Sequence, residues 1–254
     1  MLLWLNKPSK GEYKIQYQGS KARFADEIVP IIQKYIDVGG YDTYIEPFCG
    51  GCNIIDKISC ENKYGFDIHQ YLIELLKHIQ ITTDDVPDTI LHDEYMAVKN
   101  NIEKYPEWYV GLVGFCASYG NKWFGGYARN SKDDTNGERV SQSIRNIKKQ
   151  SESLKKISFD CKSFDEISDV KNSVIYCDIP YKDTTKYRTG KFPYEKFYDW
   201  CYEMSKHNIV LISEYDMPDE FRCIWEKETV VLLDKNKASN DKQNIRTERL
   251  FVVR

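Results

Sequence analysis

No stretch of the 254 residues stays apolar long enough to cross a bilayer, and the opening Met-Leu-Leu-Trp-Leu is too short for the core of a signal peptide. Those two absences point to a cytoplasmic protein with no membrane partner. Histidine is scarce, with four scattered copies, and no second Cys or His pair stands at zinc spacing from Cys49-Gly-Gly-Cys52, so no metal site is expected. The eight cysteines fall mostly inside apolar segments rather than in a regular framework, which reads as buried, reduced thiols. The glycines near Gly50 are followed by no Walker lysine, which disfavours a phosphate-cradling ATPase. Internal repeats and low-complexity tracts are absent, and a net charge of −3 does not advertise a nucleic-acid partner.

The apolar fraction of 41% and charged fraction of 30% describe an ordinary globular protein, long enough for one large domain or a domain with an insertion. Ser20 is placed to cap a helix through about Ile36, with Phe24, Ile28, Ile31, Ile32 and Tyr35 on its apolar side and Gly39-Gly40 ending it. Thr43–Glu46 reads as a buried strand running into Pro47-Phe-Cys-Gly-Gly-Cys-Asn53, with the next helix beginning near Asn53. A second strand, Tyr64–Asp67, leads into a helix from His69 to about Gln80. This is half of a doubly wound α/β sheet.

Between residues 80 and 157 the pattern turns helical, with stretches at 92–104 and 106–118, an aromatic-glycine loop at 120–130, and a polar helix carrying Val140, Ile144, Ile147 and Leu154. Strands resume at Ile157–Cys161, Val174–Cys177, Ile209–Ser213, Thr229–Leu233 and Arg249–Val253. The expected architecture is a Rossmann-like, doubly wound mixed sheet built from 1–79 and 158–254, split by a mostly helical insertion at 80–157. Charge is unevenly spread. Residues 120–156 hold nine cations against four acids, a surplus that suits either a solvated helix face or phosphate contact.

Three segments carry chemistry. In Ile175-Tyr-Cys-Asp-Ile-Pro-Tyr181 an apolar run ends in an acid, an Ile-Pro pair and an aromatic. A strand delivering Asp178 and Tyr181 at its carboxyl end puts an acceptor and a stacking face where open α/β sheets bind ligands. An exocyclic amine on a base is a poor nucleophile, because its lone pair is delocalised into the ring. Asp178 can accept one of its hydrogens and the Ile179 carbonyl, held extended by Pro180, the other, while Tyr181 stacks on the ring. Asp67, about 20 residues after the Gly50 turn, suits a ribose hydroxyl pair. Lys21, in Tyr17-Gln-Gly-Ser-Lys21, suits a carboxylate with Tyr17 packing beside it, or is simply a surface lysine at a helix start.

Taken in order, Tyr17-Gln-Gly-Ser-Lys21, Glu46-Pro-Phe-Cys-Gly50, Phe66-Asp67 and Asp178-Ile-Pro-Tyr181 resemble the Dam-type, alpha-class family of DNA adenine-specific methyltransferases, including phage-borne relatives. The resemblance runs through nearly the whole chain. It departs at Ile179, where the family usually has proline, and at Cys52, in place of a second glycine. It implies an S-adenosyl-L-methionine site using Tyr17, Lys21, Asp67 and Asp178, with Phe48 and Gly50 shaping the pocket floor. Ser163 and Phe164 would meet the cofactor's adenine, although core packing suits Phe164 equally.

The resemblance further implies double-stranded DNA as partner, a flipped-out adenine, and a bacterial or phage-infected cell, in a restriction-modification setting. Lys122, Trp123, Tyr127 and Arg129 would enter a groove and Lys148 and Lys149 follow phosphates; alternatively, Trp123 and Phe124 pack the insertion. Lys235, Lys237 and Lys242 are further candidates for the DNA backbone. Methylation of a cytosine amino group, methylation of adenine in RNA, and a catalytically silent DNA-binding decoy share this layout.

Overall fold

The computed structural model describes residues 21–129, 137–180, 192–231 and 244–253. Ser20, expected as a helix cap, lies outside them, as do Tyr17, Lys132, Tyr181, Lys235, Lys237 and Lys242. The chain divides into two compact units, Gly19–Ile73 with Lys156–Arg254, and Met1–Gln18 with Glu74–Lys155.

The first unit is built on a seven-stranded sheet in the order β3-β2-β1-β4-β5-β7-β6. Its strands are β1 (Thr43–Glu46), β2 (Asn62–Asp67), β3 (Ile157–Cys161), β4 (Ser173–Asp178), β5 (Ile209–Glu214), β6 (Phe221–Val231) and β7 (Asn244–Val253). The first five run parallel, while β7 lies antiparallel between β5 and β6. This is the doubly wound mixed sheet expected from the sequence. Central β4 is buried from Ser173 to Cys177, which is why it reads as a continuous apolar run rather than an alternation.

Helix α1 (Ala25–Gly39) presents Ala25, Ile28, Ile32 and Ile36 as one buried face. It ends where Gly40 adopts a left-handed conformation (φ 66°) and returns its N–H to the Ile36 carbonyl. The residue at its amino end, Phe24, makes no side-chain cap.

The structure departs from the expectations at several points. No α-helix starts near Asn53; only a 3₁₀ turn, Ile55–Lys57, forms before the chain extends again at Ile58, because few residues separate the β1 turn from β2 and several are β-branched. The strand expected at Thr229–Leu233 is the far end of the longer β6, a sheet edge whose exposed Arg222, Glu226, Lys227 and Glu228 mask its strand character. A further helix, α6 (Tyr194–Ser205), buries Phe197, Trp200 and Cys201 at helical spacing and joins β4 to β5.

The second unit is helical. After α2 (Gln70–Ile81), within which the division between units falls, come α3 (His92–Asn100), α4 (Glu107–Cys116) and α5 (Glu138–Leu154). Both expected stretches before the loop are shorter than predicted: α3 gives way to a 3₁₀ turn at Ile102–Lys104, and α4 stops at Cys116. Helix α4 is apolar all round and buried from Val110 to Cys116, whereas α5 buries only the face holding Val140, Ile144, Ile147 and Leu154.

Candidate active site

Strand order reverses at β1, which pairs with β2 on one side and β4 on the other. The carboxyl ends of these strands are where open sheets form a ligand crevice. Beyond β1 the chain turns sharply: Gly50 has φ 46° and Cys52 φ 57°. Cys52 occupies the position where the resemblance expects glycine, and its left-handed conformation is the physical reason for that preference. The turn is tied to β2, since the Cys49 N–H donates to the Phe66 carbonyl (2.8 Å) and the Gly50 N–H to Asp67 Oδ2 (3.3 Å). Asp67 Oδ1 accepts the His69 N–H at 2.9 Å. Burial raises the Asp67 carboxyl to about 6, against the opposing pull of these backbone donors.

One strand over, Asp178 stands at the end of β4, its side chain 24% exposed. Its carboxylate is ion-paired with the Lys21 ammonium, which is 2% exposed and lies 3.7 Å from Glu248 Oε1 of β7. Lys21 is therefore a buried ammonium between two acids rather than a surface lysine. Burial alone would lower its pKa; Asp178 and Glu248 more than offset that, so it stays charged. Asp178 is raised by burial and by Glu248, with Lys21 opposing.

Past Asp178, Ile179 is buried, and the Pro180 carbonyl accepts the Tyr194 hydroxyl at 2.7 Å. The first turn of α6 thus fastens the segment leading to Tyr181. Phe48, partly buried, has ring centroids of Phe164, Phe192 and Phe197 each 5.8 Å away. Phe164 itself is buried against Phe197 and Trp200, so core packing accounts for most of its surface. Ser163 is engaged locally in a capping box, its amide donating to Glu166 Oε2 at 2.7 Å.

The structure thus brings Lys21, Gly50, Asp67, Phe48 and Asp178 to one edge of the sheet unit. Sequence reasoning assigned no role to Glu248, Tyr194 or Glu46. Glu46 is buried, accepts the Tyr44 hydroxyl at 2.7 Å, and is pushed well above the carboxylate range by burial. Its place within Glu46-Pro-Phe-Cys-Gly50 was the available signal; Glu248 gave none.

In the helical unit the six nucleic-acid candidates divide. Lys122 and Arg129 are exposed. Trp123 lies over Gly114, where an added Cβ would meet its ring at 2.3 Å, and packs against Phe115 and Phe124 at centroid distances of 4.9 and 4.7 Å. Tyr127 donates its hydroxyl to the Ile90 carbonyl (2.8 Å) and stacks obliquely on Tyr95. Lys148 pairs with exposed Asp88 at 2.8 Å, and Lys149 is exposed on α5.

Residues 17–110 match the family described as D12 class N6 adenine-specific DNA methyltransferase. Among curated proteins the chain is similar to the type II methyltransferase M.FokI of Planomicrobium okeanokoites, 26% identical over 215 residues. That match takes in 73% of this chain and 31% of the relative, so the chain spans about a third of that protein's length. Among solved structures, a putative methyltransferase from Thermoplasma acidophilum overlaps 46% of this chain and 53% of its own at 10% identity, with a TM-score of 0.24, too slight a likeness to carry weight.

Proposed function

We propose that this chain, whose residues 17–110 match the D12 class of N6 adenine-specific DNA methyltransferases, transfers a methyl group from S-adenosyl-L-methionine to the exocyclic amino group of adenine in double-stranded DNA. The observation that carries this reading is the charge pattern along the carboxyl edge: Asp67 ending β2, and Asp178 ending β4 in an ion pair with buried Lys21.

The donor set fits such a cofactor. A carboxylate at the end of β2, tied to the glycine turn, suits a ribose diol, and a Lys–Asp pair matches the opposite charges of an amino-acid end. When bound, the cofactor supplies a methyl group activated on a sulfonium. The chain's own residues do the rest. Lys21 holds the carboxylate end, Asp67 the ribose, and Phe48 closes the floor beside the Gly50 turn.

A base paired within a duplex cannot reach this edge, so the adenine must be flipped out, at an unstacking cost of roughly a few kcal/mol. Tyr181 then offers its ring to the base. Asp178 would accept one amine hydrogen and the Ile179 carbonyl the other, drawing electron density back from the ring onto the nitrogen. Catalysis comes from positioning and aimed acceptors. Because the acting group at 179 is a backbone carbonyl, isoleucine serves there as proline does. Residues 80–157 supply the DNA contacts, with Lys122, Arg129 and Lys149 among their exposed cations.

The test is transfer of isotope from methyl-labelled cofactor to duplex DNA, followed by nucleoside analysis. Label in N6-methyldeoxyadenosine is expected. Label in N4-methyldeoxycytidine, label accepted only by RNA, or none at all would each replace this reading.

A further inference from the structure

Lys21 poses an electrostatic problem for the proposed chemistry. Its ammonium is almost wholly buried and its nearest countercharge is Asp178, the acid that must also accept a hydrogen from the target amine. Removing one partner of a buried ion pair leaves an uncompensated charge, a strongly unfavourable arrangement. An Asp178 committed to Lys21 alone would be held away from the base.

The sheet supplies a second acid. In β7, Leu250 lies opposite Ser213 of β5, which in turn lies opposite Asp178 of β4. Glu248 is two residues before Leu250 and so on the same face of the strand, and because β7 runs antiparallel, its earlier residues reach the edge where the parallel strands end. There its carboxylate comes within 3.7 Å of the Lys21 ammonium, with 2% of the side chain exposed. A buried acid at the rim of a site, on a strand that none of the recognised motifs includes, calls for an explanation.

We propose that Glu248 is a positioning residue for methyl transfer: by pairing with the Lys21 ammonium from β7, beside the cofactor's carboxylate, it loosens the hold of Lys21 on Asp178 and lets Asp178 turn to the target amine. The role rests on the proposed activity.

Glu248→Gln keeps the shape and removes the charge, and Glu248→Asp restores the charge on a shorter arm. Three quantities are measured for each: the thermal midpoint, the single-turnover methylation rate at saturating cofactor and DNA, and the titration of the Asp178 carboxyl by carbon-13 NMR in protein without cofactor. Among the described residues Glu46, Tyr176 and Cys177 are also electrostatically coupled to Asp178, and all are unchanged in these variants.

The Gln variant should stay folded, lose about tenfold or more in rate, and show Asp178 titrating at lower pH, because a like charge has gone and Lys21 serves Asp178 alone. The Asp variant should recover much of the rate. A rate within about threefold of wild type for Glu248→Gln, an unmoved Asp178 titration, or a loss that follows the folded fraction equally in both variants would overturn the inference. Wild-type protein that labels no adenine would sink the proposed activity and this role with it; active wild type with an equally active Gln variant would sink the role alone.

Discussion

The carboxyl edge of the sheet and the aromatic-glycine loop of the helical unit were both rich in chemically capable side chains, and folding treated them in opposite ways. At the edge, Asp67 and Asp178 remain partly accessible at the ends of β2 and β4, held by backbone donors and an ion pair. In the loop, Trp123 and Tyr127 turn inward onto Gly114 and the Ile90 carbonyl, leaving Lys122 and Arg129 to solvent. A strand end has its direction set by the ladder behind it, so an acid placed there has little choice. A loop aromatic can satisfy itself against its own unit, and its composition does not say which way it faces.

The largest expected effect bears on the edge. Asp178→Ala should lower the methylation rate by about 10²–10³-fold, the scale of losing one aimed group in a dry site, while circular dichroism remains native. A loss of less than about threefold would mean that Asp178 is one more satisfied side chain, and the contrast would fail.

The loop predicts a separation between stability and binding. Trp123→Ala should destabilise the helical unit by about 3 kcal/mol, the low end for truncating a packed aromatic, since the ring is only half-buried. Lys122→Ala and Arg129→Ala should cost less than about 0.5 kcal/mol each, yet each should flatten the dependence of log affinity for DNA on log salt by about 0.9. Denaturant melts and salt titrations would show this division. Stability loss in the cation variants, or a Trp123 variant that melts normally and binds DNA poorly, would reverse the assignment.

A smaller effect concerns pH. In the proposed site Asp67 would accept ribose hydroxyls best when ionised, and burial places its titration at about 6. Cofactor affinity measured by calorimetry should therefore be full above that value and decline as the pH falls through it. Asp67→Asn should bind more weakly at neutral pH and lose this dependence. An unchanged affinity down to pH about 5 would remove Asp67 from the cofactor site.

The smallest effect lies in the turn joining the two strands. Cys52→Gly relieves a left-handed conformation costing about 1–2 kcal/mol but deletes a fully buried thiol, and these opposing changes should leave stability within about 1 kcal/mol of wild type. A large loss would show that thiol packing, rather than backbone conformation, governs the turn.

The sheet was legible where burial is symmetrical. β4 is covered on both faces and announces itself as an apolar run, and the acid ending it stands out for the same reason. β6 was only partly legible because an edge strand carries charges like a loop does. Helix α6 went unread although Phe197, Trp200 and Cys201 mark its buried face. Of the candidate site, the placing of Lys21, Asp67 and Asp178 at one sheet edge was anticipated by local motifs. Glu248 was not, since its meaning arises only when antiparallel β7 returns it to Lys21 from the far end of the chain.

The most direct test of the account is a crystal structure of the protein with S-adenosylhomocysteine bound. The account predicts the ribose hydroxyls on the Asp67 carboxylate, the amino-acid end at Lys21 and Asp178, and the thioether facing the segment that follows Asp178. A nucleoside bound away from the ends of β1, β2 and β4, with Asp67 and Lys21 untouched, would contradict it.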